Sequence, residues 1–422
     1  MSSPRLNKNT PNKIFQIHSK GDSMLPILMN GDIIEFTKSS YEELSVNDIV
    51  LIYHDGIFLT HRLIYKAKKY CITRGDNNAK SDRQAKPEQV IAKAIRFKRR
   101  RNWHDIQEVY ISQSLTYITE ISKLIKLLRL HKIRHVFLKG VMISLRYESR
   151  IPQRIYADCD ILIQREQFGQ MKSVFKMLGY KMIKETQLRS ISESEFSEIS
   201  FFKIVGMMPV VFDVHLEPVF LMTKLNGMNL LYPKDKRDNL GKVLIETSEK
   251  IKLGKWSYSL LDPSMQIVYL ALHVFHHNYT DIVRLKLIDA VIRKATKRRG
   301  MWRFFVKTTK DYSLHSYINP VLLQLRKYFK TPIPQQVFRS LEIRNPITKK
   351  VGEWAANSVD VFSQENRMRA GIRRFILIII LSPEPYLKKL LLFLYPGTIR
   401  SVFWVVYAKI YMIIKMRSIQ RN

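Results

Sequence analysis

Hydrophobic and polar positions between residues 14 and 100 follow the short period of β-strands. Runs rich in Ile, Val, Leu, Phe and Tyr alternate with turns containing Gly, Asp and Asn, and no long helical period fits between them. The predicted strands are IFQIH, DIIEF, DIVLIY, IFLTHRLI, YCIT and VIAKAI. The pattern predicts a small, mostly-β domain over 14–100, preceded by a flexible polar segment over 1–13, with the basic run at 98–102 as a hinge.

The pattern changes at about residue 105, where apolar residues recur at helical spacing through residue 131. Beyond that helix, the apolar strands HVFLK, YADCDILI and MPVVFDVHLEP alternate with helical stretches, an order typical of an α/β domain. From about residue 263 the pattern is helical. We therefore expect a multidomain chain with an α/β domain over 105–262 and a helical C-terminal region over 263–422.

The charge balance limits the kinds of partner. The chain has 71 Lys and Arg against 36 Asp and Glu, a formal net charge of +35. Such a field attracts nucleic acids, nucleotides and anionic membrane surfaces; the alternative explanation is a lysine-rich coding bias. A hydrophobic content of 46% is that of a globular protein and argues against a disordered chain.

Two cysteines, Cys71 and Cys159, lie far apart in sequence, so they form neither a disulfide framework nor a zinc cluster, and they fit a reducing compartment. The most apolar runs, 375–381 and 402–414, are either too short to cross a bilayer or interrupted by Lys409. We expect a cytoplasmic protein with no transmembrane span. For the basic, aromatic-rich C-terminal helices, packing with snorkelling cations is the first interpretation, and contact with an anionic membrane surface is the second.

A serine and a histidine occur where a sheet can bring them together. Ser23 lies in GDSMLPIL, on a tight turn after the first predicted strand, and His61 lies in the strand IFLTHRLI. A serine hydroxyl needs a neighbouring base to act as a nucleophile. The segment ITRGDNNAKSD offers Asp76 and Asp82, either of which can orient the imidazole. The alternative is that these residues only shape turns and fill a strand.

The order S-M-x-P, G-D, H-R and G-D-N-N-x-x-x-D resembles the S24/S26 serine peptidases, in particular signal peptidases that use histidine as the base. The resemblance covers about residues 14–95 and implies a mostly antiparallel β fold. It implies Ser23 as nucleophile, His61 as general base and Asp82 as third member, with Asp76 as a supporting carboxylate. Residues 1–13 do not resemble the membrane anchor of signal peptidases. We therefore expect a cytosolic peptide substrate, or self-processing, instead of exported precursors.

Three carboxylates in the α/β region suggest a cation site. Asp158 and Asp160 are two residues apart in YADCDILI, and alternate residues of a strand share a face. Asp213, in VVFDVHLEP, has apolar flanks and is the third candidate. Grouped carboxylates repel unless a divalent cation lies between them, as in metal-assisted phosphoryl transfer. The alternative is a surface strand with solvated aspartates.

The segments LKG, R-x-x-x-D-x-D, G-Y and F-D-V-H, with the helices LALHVFHH and KLIDAV, resemble an uncharacterised nucleotidyltransferase-like family of the polymerase-β type. The resemblance spans about residues 105–300. It implies Asp158, Asp160 and Asp213 as ligands of Mg²⁺ and a nucleoside triphosphate as substrate.

The same resemblance indicates residues that bind the nucleotide. Lys139 and Gly140 stand where the broader superfamily has a Gly-Ser turn that grips phosphate. Because the serine of that turn is missing, we expect Lys139 to supply positive charge to the phosphates, and Arg154 to do likewise.

Four histidines also invite a metal interpretation: His215, His273, His276 and His277. Two of them have the spacing of a zinc-binding pair on a helix, but the HExxH motif is absent. We therefore expect structural roles for all four, with Asp289 as a packed polar partner of one of them.

Together the two resemblances predict a bifunctional protein. One module would cleave a peptide or protein substrate, and the other would transfer a nucleotidyl group, with peptide maturation as the shared process. The alternative is non-enzymatic: both folds serve as scaffolds that bind a leader peptide or an anionic partner.

Overall fold

The computed structural model describes residues 14–54, 56–148, 152, 154–183, 197–206, 208–218, 221–222, 228–253, 256–296, 298–363 and 367–396. The predicted flexible segment at 1–13 and the apolar run at 402–414 lie outside the described residues.

The first sheet is antiparallel and contains all six predicted strands and one more. Its strands are β1 (Ile14–His18), β2 (Ile33–Thr37), β3 (Ile49–His54), β4 (Ile57–Lys66), β5 (Cys71–Arg74), β6 (Val90–Arg99) and β7 (Asn102–Asp105). Their order is β1-β2-β6-β3-β4-β5, with β7 beside β6. The predicted mostly-β domain is confirmed.

The seventh strand replaces the hinge expected at 98–102. Arg99 pairs with Asn102 across a tight hairpin, and Arg100 in its turn has a left-handed φ of 57°. The sequence pattern did not predict this hairpin, because a run of charged residues lacks the alternation of apolar and polar positions that indicates a strand.

The predicted α/β region is confirmed, and its sheet is mixed. Its strands are β8 (His135–Phe137), β9 (Cys159–Ile163), β10 (Lys181–Met182), β11 (Glu198–Val205), β12 (Met208–His215), β13 (Glu249–Leu253) and β14 (Trp256–Leu260). The order is β10-β11-β12-β9-β8-β14-β13. The pairs β9–β12 and β8–β14 are parallel, and the remaining pairs are antiparallel.

Helices cover the second sheet and form the C-terminal part of the chain. Helix α1 starts immediately after β7, where the Asp105 side chain accepts from the amides of Gln107 and Glu108. The α-helices are α1 (Ile106–Leu130), α2 (Val141–Tyr147), α3 (Phe168–Met177), α4 (Lys234–Glu246), α5 (Pro263–His276), α6 (Ile282–Ala295), α7 (Met301–Asp311), α8 (His315–Phe329), α9 (Gln335–Ser340), α10 (Pro346–Asn357), α11 (Arg367–Leu381) and α12 (Tyr386–Leu394), and short 3₁₀ helices cover Pro87–Gln89, Arg165–Gln167 and Met228–Leu230.

Residues 14–105, here the first module, pack closely on the residues from Ile106 onward, here the second module. Ile64 on β4 and Ile72 on β5 are buried in the same apolar core as the helices of the second module. The Tyr65 hydroxyl also donates to the carbonyl of Tyr328 on α8 at 3.2 Å. Since each buried isoleucine contributes about 1.5–3 kcal/mol, this contact holds the two modules together.

Helices α11 and α12 expose several apolar side chains, including Ile372, Ile376, Leu387, Leu390 and Leu394. Over the residues that the structure describes, none of the helices has the length and apolar character that crossing a membrane requires. Contact of this region with an anionic membrane surface stays a prediction.

Candidate functional site

The loop that carries Ser23 is held at its base by Asp32. The amide of Ser19 donates to the carbonyl of Asp32 at 2.7 Å, and the Asp32 carboxylate accepts from the amide of Met29 at 2.8 Å. Arg99 on β6 donates to both oxygens of that carboxylate, at 3.1 and 2.7 Å. The predicted G-D pair therefore fixes the entry and exit of the serine loop.

Ser23, His61 and Asp82 form a continuous chain of polar contacts. On β4, His61 places its Nε2 3.0 Å from Ser23 Oγ and its Nδ1 2.6 Å from Asp82 Oδ2. A carboxylate only accepts, so Nδ1 carries the proton, and Nε2 of the neutral ring then accepts from the serine hydroxyl. This is the arrangement of an activated serine nucleophile.

A second donor fixes Asp82. The Thr73 hydroxyl, at the end of β5, donates to Asp82 Oδ2 at 2.6 Å, and the Asp82 amide donates to the Thr73 carbonyl at 2.9 Å. Sequence reasoning missed Thr73. The only signal was its place just before the R-G-D segment.

The segment after Thr73 passes directly against the serine loop. The amide of Asn77 donates to the Ser23 carbonyl at 2.8 Å. A Cβ on Gly75 would lie 2.6 Å from that same carbonyl oxygen, so this position excludes a side chain. The glycine of the G-D-N-N motif thus permits the close approach of the two loops.

Asp76 contacts Arg62 and is not in contact with His61. Its two oxygens accept from Arg62 Nε at 2.6 Å and Nη2 at 2.5 Å. Arg62 also donates to the Tyr110 hydroxyl on α1 at 2.8 Å. Asp76 therefore anchors the neighbour of His61 in the chain, and its role as a supporting carboxylate stays a prediction.

Pairing in the second sheet brings the predicted carboxylates to one face. Asp213 on β12 lies opposite Asp160 on β9, and Ser200 on β11 lies opposite Asp213. The Ser200 hydroxyl donates to Asp213 Oδ1 at 2.6 Å. Asp158 immediately precedes β9 and lies outside the strand in which we had placed it.

Lys139 and His215 surround Asp160. Lys139 Nζ lies 3.0 Å from Asp160 Oδ1 and 3.6 Å from Asp158 Oδ2, and His215 Nε2 lies 2.8 Å from Asp160 Oδ1. The other oxygen of Asp160, Oδ2, is buried without a hydrogen-bond partner. We had expected a structural role for His215. Its position two residues after Asp213, on the same face of β12, was the signal for a place in this cluster.

The cluster perturbs the pKa values of its members. Burial would raise the pKa of Asp160, but Lys139 and His215 outweigh it and lower that pKa. Burial raises the pKa of Asp213 to about 6, with the nearby charge of Asp160 adding to the rise and the Ser200 hydrogen bond opposing it. Burial and the charge of Asp160 also raise the pKa of Asp158. The three carboxylates therefore repel one another and favour a cation.

Carboxylate oxygens are the kind of ligand that Mg²⁺ prefers. Asp160 Oδ2 has no hydrogen-bond partner and is therefore available as a ligand atom. Over the part of the chain that the structure describes, however, no three His, Cys, Asp or Glu side chains are grouped closely enough to hold a metal ion. Here the ammonium of Lys139 is the cation beside Asp158 and Asp160.

Gly140 lets the turn before α2 approach β9. Its φ is +93°, and a Cβ there would lie 3.1 Å from the carbonyl oxygen of Asp158. Arg154 donates through Nη2 to Ser144 at 3.2 Å and Glu148 at 3.3 Å. The phosphate-binding roles of Lys139, Gly140 and Arg154 stay predictions.

Two of the other histidines, His273 and His276, contact arginines, and the His277 ring packs edge-on against His273. His273 lies 3.3 Å from Nε of Arg284, and His276 lies 3.0 Å from Nη1 of Arg374. The predicted pairing of Asp289 with a histidine is wrong. Its carboxylate accepts from Arg293 on the next turn of α6 and from the Thr331 hydroxyl.

Two family models match the chain. The model described as Peptidase S24-like matches residues 1–95, which include Ser23, His61 and Asp82. The model described as an uncharacterised nucleotidyltransferase matches residues 83–330, which include the three carboxylates of the second sheet. Neither a curated protein nor a solved structure matches.

Proposed function

Because the chain belongs to the uncharacterised nucleotidyltransferase family and carries an S24-like peptidase domain ahead of that region, we propose that it is a bifunctional enzyme. The first module would cleave a peptide or protein substrate, and the second would transfer a nucleotidyl group from a nucleoside triphosphate. A peptide that is both cleaved and modified would join the two activities in peptide maturation.

The contacts of His61 with Ser23 and Asp82, at 3.0 and 2.6 Å, carry the peptidase proposal. Ser23 Oγ would attack the carbonyl carbon of the peptide while His61 Nε2 takes the hydroxyl proton. The imidazolium would return that proton to the amine as the C–N bond breaks. Water would then hydrolyse the ester on Ser23 by the same route. Asp82, held by Thr73, would stabilise the imidazolium throughout.

A fluorophosphonate probe, which reacts with activated serines, tests this module. The full chain is incubated with the probe beside Ser23→Ala, a substitution that removes only one oxygen atom. We expect labelling of the wild type and none of the variant. Equal labelling of both proteins would contradict the proposal.

In the second module, an acceptor group would attack the α-phosphorus and release pyrophosphate. Asp158, Asp160 and Asp213 are not grouped closely enough for a metal ion among the described residues, so they would have to move together to hold Mg²⁺. Its charge would neutralise the developing charge on the phosphates. His215 would hold Asp160 in place, and Lys139 would donate hydrogen bonds to phosphate oxygens. The perturbed pKa of Asp213 and its place opposite Asp160 support this proposal.

Labelled ATP, CTP, GTP or UTP with Mg²⁺ tests the second module. We expect transfer of label to the protein or an added acceptor by the wild type, and loss of transfer in Asp160→Ala. Transfer by neither protein, or equal transfer by both, would count against a nucleotidyltransferase.

One observation favours the rival proposal that the second module is a binding scaffold. The Lys139 ammonium already lies 3.6 Å from Asp158 Oδ2 and 3.0 Å from Asp160 Oδ1, where a metal ion would otherwise bind. A scaffold of this kind would bind a leader peptide or an anionic partner, consistent with the net charge of +35. We also propose a reducing, cytoplasmic setting, because Cys71 and Cys159 are both free thiols.

A further inference from the structure

The segment from Arg74 to Ser81, here the acid loop, links Thr73 to Asp82, the carboxylate that contacts His61. Thr73 precedes it and Asp82 follows it, and Thr73 donates to the Asp82 oxygen that His61 also contacts. Any shift of this loop therefore moves Asp82 relative to His61.

Both ends of the acid loop contact the second module. At its start, Arg74 Nη1 donates to the carbonyl of Phe362 at 2.9 Å, and Arg74 Nη2 lies 3.7 Å from Asp281 Oδ1. At its end, the Ser81 amide donates to Ser363 Oγ at 3.1 Å, and the two serine hydroxyls are 3.2 Å apart. Each contact is one residue away from Thr73 or Asp82.

The partners in the second module are themselves held. Asp281 is buried and accepts from Arg284 Nη1 at 2.6 Å and from the amide of Val283 at 3.2 Å. The amide of Ile282 donates to the carbonyl of Val361 at 2.7 Å, which ties the start of α6 to the segment carrying Phe362 and Ser363. The acid loop thus rests on a surface that is fixed by its own hydrogen bonds.

Within the first module, the contacts of the acid loop hold its backbone start and its middle. The backbone of Arg74 pairs with Arg62 on β4, Asp76 accepts from the Arg62 side chain, and the amide of Asn77 donates to the carbonyl of Ser23. The side chain of Arg74 and the amide of Ser81, which flank Thr73 and Asp82, instead contact Asp281, Phe362 and Ser363. These contacts add a restraint from the second module at both ends of the loop.

We propose that Asp281, Phe362 and Ser363 are positioning residues for the serine–histidine site, so that the reactivity of Ser23 depends on the second module. This inference rests on the proposed peptidase function. It assigns the junction a role in orienting Asp82, in addition to holding the two modules together. The peptidase site is then complete only in the full chain.

The test compares full-length variants by the kinetics of fluorophosphonate labelling. The double variant Arg74→Gln/Ser363→Ala removes the contacts at both ends of the loop. We expect its limiting rate of inactivation to fall about tenfold or more, with the half-saturating probe concentration unchanged. Ser363→Thr keeps the hydroxyl and should retain wild-type kinetics.

Tyr65→Phe is the matched control, because it removes another hydrogen bond between the modules that does not involve the acid loop. We expect its labelling rate to stay within about twofold of the wild type. A fall in Tyr65→Phe equal to that of the double variant would show a general loosening of the junction and would overturn the proposal.

Hydrogen exchange of the same proteins separates failure of this inference from failure of the proposed function. The amides of Asn77, Asn78 and Asp82 should exchange faster in the double variant than in the wild type. In Tyr65→Phe their exchange rates should equal those of the wild type. Unchanged exchange in the double variant overturns the positioning role, whether or not the wild type reacts with the probe. Faster exchange in the double variant, together with a wild-type chain that resists the probe, would support the positioning role and contradict the proposed peptidase activity.

Discussion

Asp213 on β12 lies directly opposite Asp160 on β9, in a parallel pairing that directs both carboxylates to the same face of the second sheet. The two residues have opposite pKa shifts. The pKa of Asp213 is raised to about 6 mainly by burial, whereas Lys139 and His215 outweigh burial and lower the pKa of Asp160.

This difference predicts a pH-dependent effect of Asp213→Asn. A carboxyl with a pKa of about 6 in the folded chain and about 3.9 when unfolded stabilises the fold below pH 4, and the benefit is lost as the pH rises through 6. At pH 7.5 we expect the unfolding free energy of Asp213→Asn to be higher than that of the wild type by up to about 2 kcal/mol. The two should converge near pH 4. Urea unfolding at both pH values measures the difference, and a pH-independent gap would contradict the assignment.

Loss of His215 should destabilise the buried Asp160. We expect His215→Leu to lower the unfolding free energy by about 1–3 kcal/mol, because a buried charge loses a partner. The double variant His215→Leu/Asp160→Leu should recover part of that loss. Lys307→Ala, which removes an exposed pair with Asp311 on α7, is the control and should leave the unfolding free energy close to that of the wild type. Additive effects at positions 215 and 160 would show that the two side chains do not interact.

Gly75→Ala should abolish the reactivity of Ser23. The added methyl group would lie 2.6 Å from the Ser23 carbonyl oxygen, so the two loops must separate. Gly169→Ala on α3 is the matched control, because a Cβ at that position meets nothing within 4 Å. Fluorophosphonate labelling should vanish in the first variant and persist in the second. Wild-type labelling of Gly75→Ala would mean that the contact is dispensable.

Thr73→Val should slow the labelling of Ser23 without preventing folding. The substitution removes one of the two donors to Asp82 Oδ2 while keeping the shape of the side chain. We expect the labelling rate to fall by about tenfold, the lower end of what an orienting contact contributes. Thr73→Ser, which keeps the hydroxyl, should restore most of the rate. No difference between Val and Ser would assign Thr73 to packing alone.

The sequence predicted most strands of the first module and the segments that carry its site residues, because each of them is a short, local pattern. Ser23, His61 and Asp82 belong to separate short motifs, and the resemblance of those motifs to the S24/S26 peptidases implied that the three residues meet. The strand IFLTHRLI placed His61 correctly within β4. Without that resemblance Asp76 and Asp82 could not be distinguished, because both lie in the segment ITRGDNNAKSD. The partner of Asp76 is the side chain of Arg62, which only tertiary structure reveals.

The second module was predicted less completely, because its contacts are long-range. The two-residue spacing of Asp158 and Asp160 predicted a shared strand face, but Asp158 precedes β9. Only the register of β9 with β12 places Asp213 opposite Asp160. The position of Lys139 beside the two carboxylates depends on the turn at Gly140. The sequence did not predict that Lys139 forms ion pairs with Asp158 and Asp160. The contacts of Arg74 and Ser81 with the second module had no sequence signal, since their partners lie more than 200 residues away.

The most direct measurement is to map the fluorophosphonate adduct by mass spectrometry in the wild type, His61→Ala and Asp82→Asn, using the full chain. The account predicts one adduct on Ser23 in the wild type, none in His61→Ala, and a slower reaction at the same residue in Asp82→Asn. An adduct at another residue, or equal modification of Ser23 in all three proteins, would contradict it.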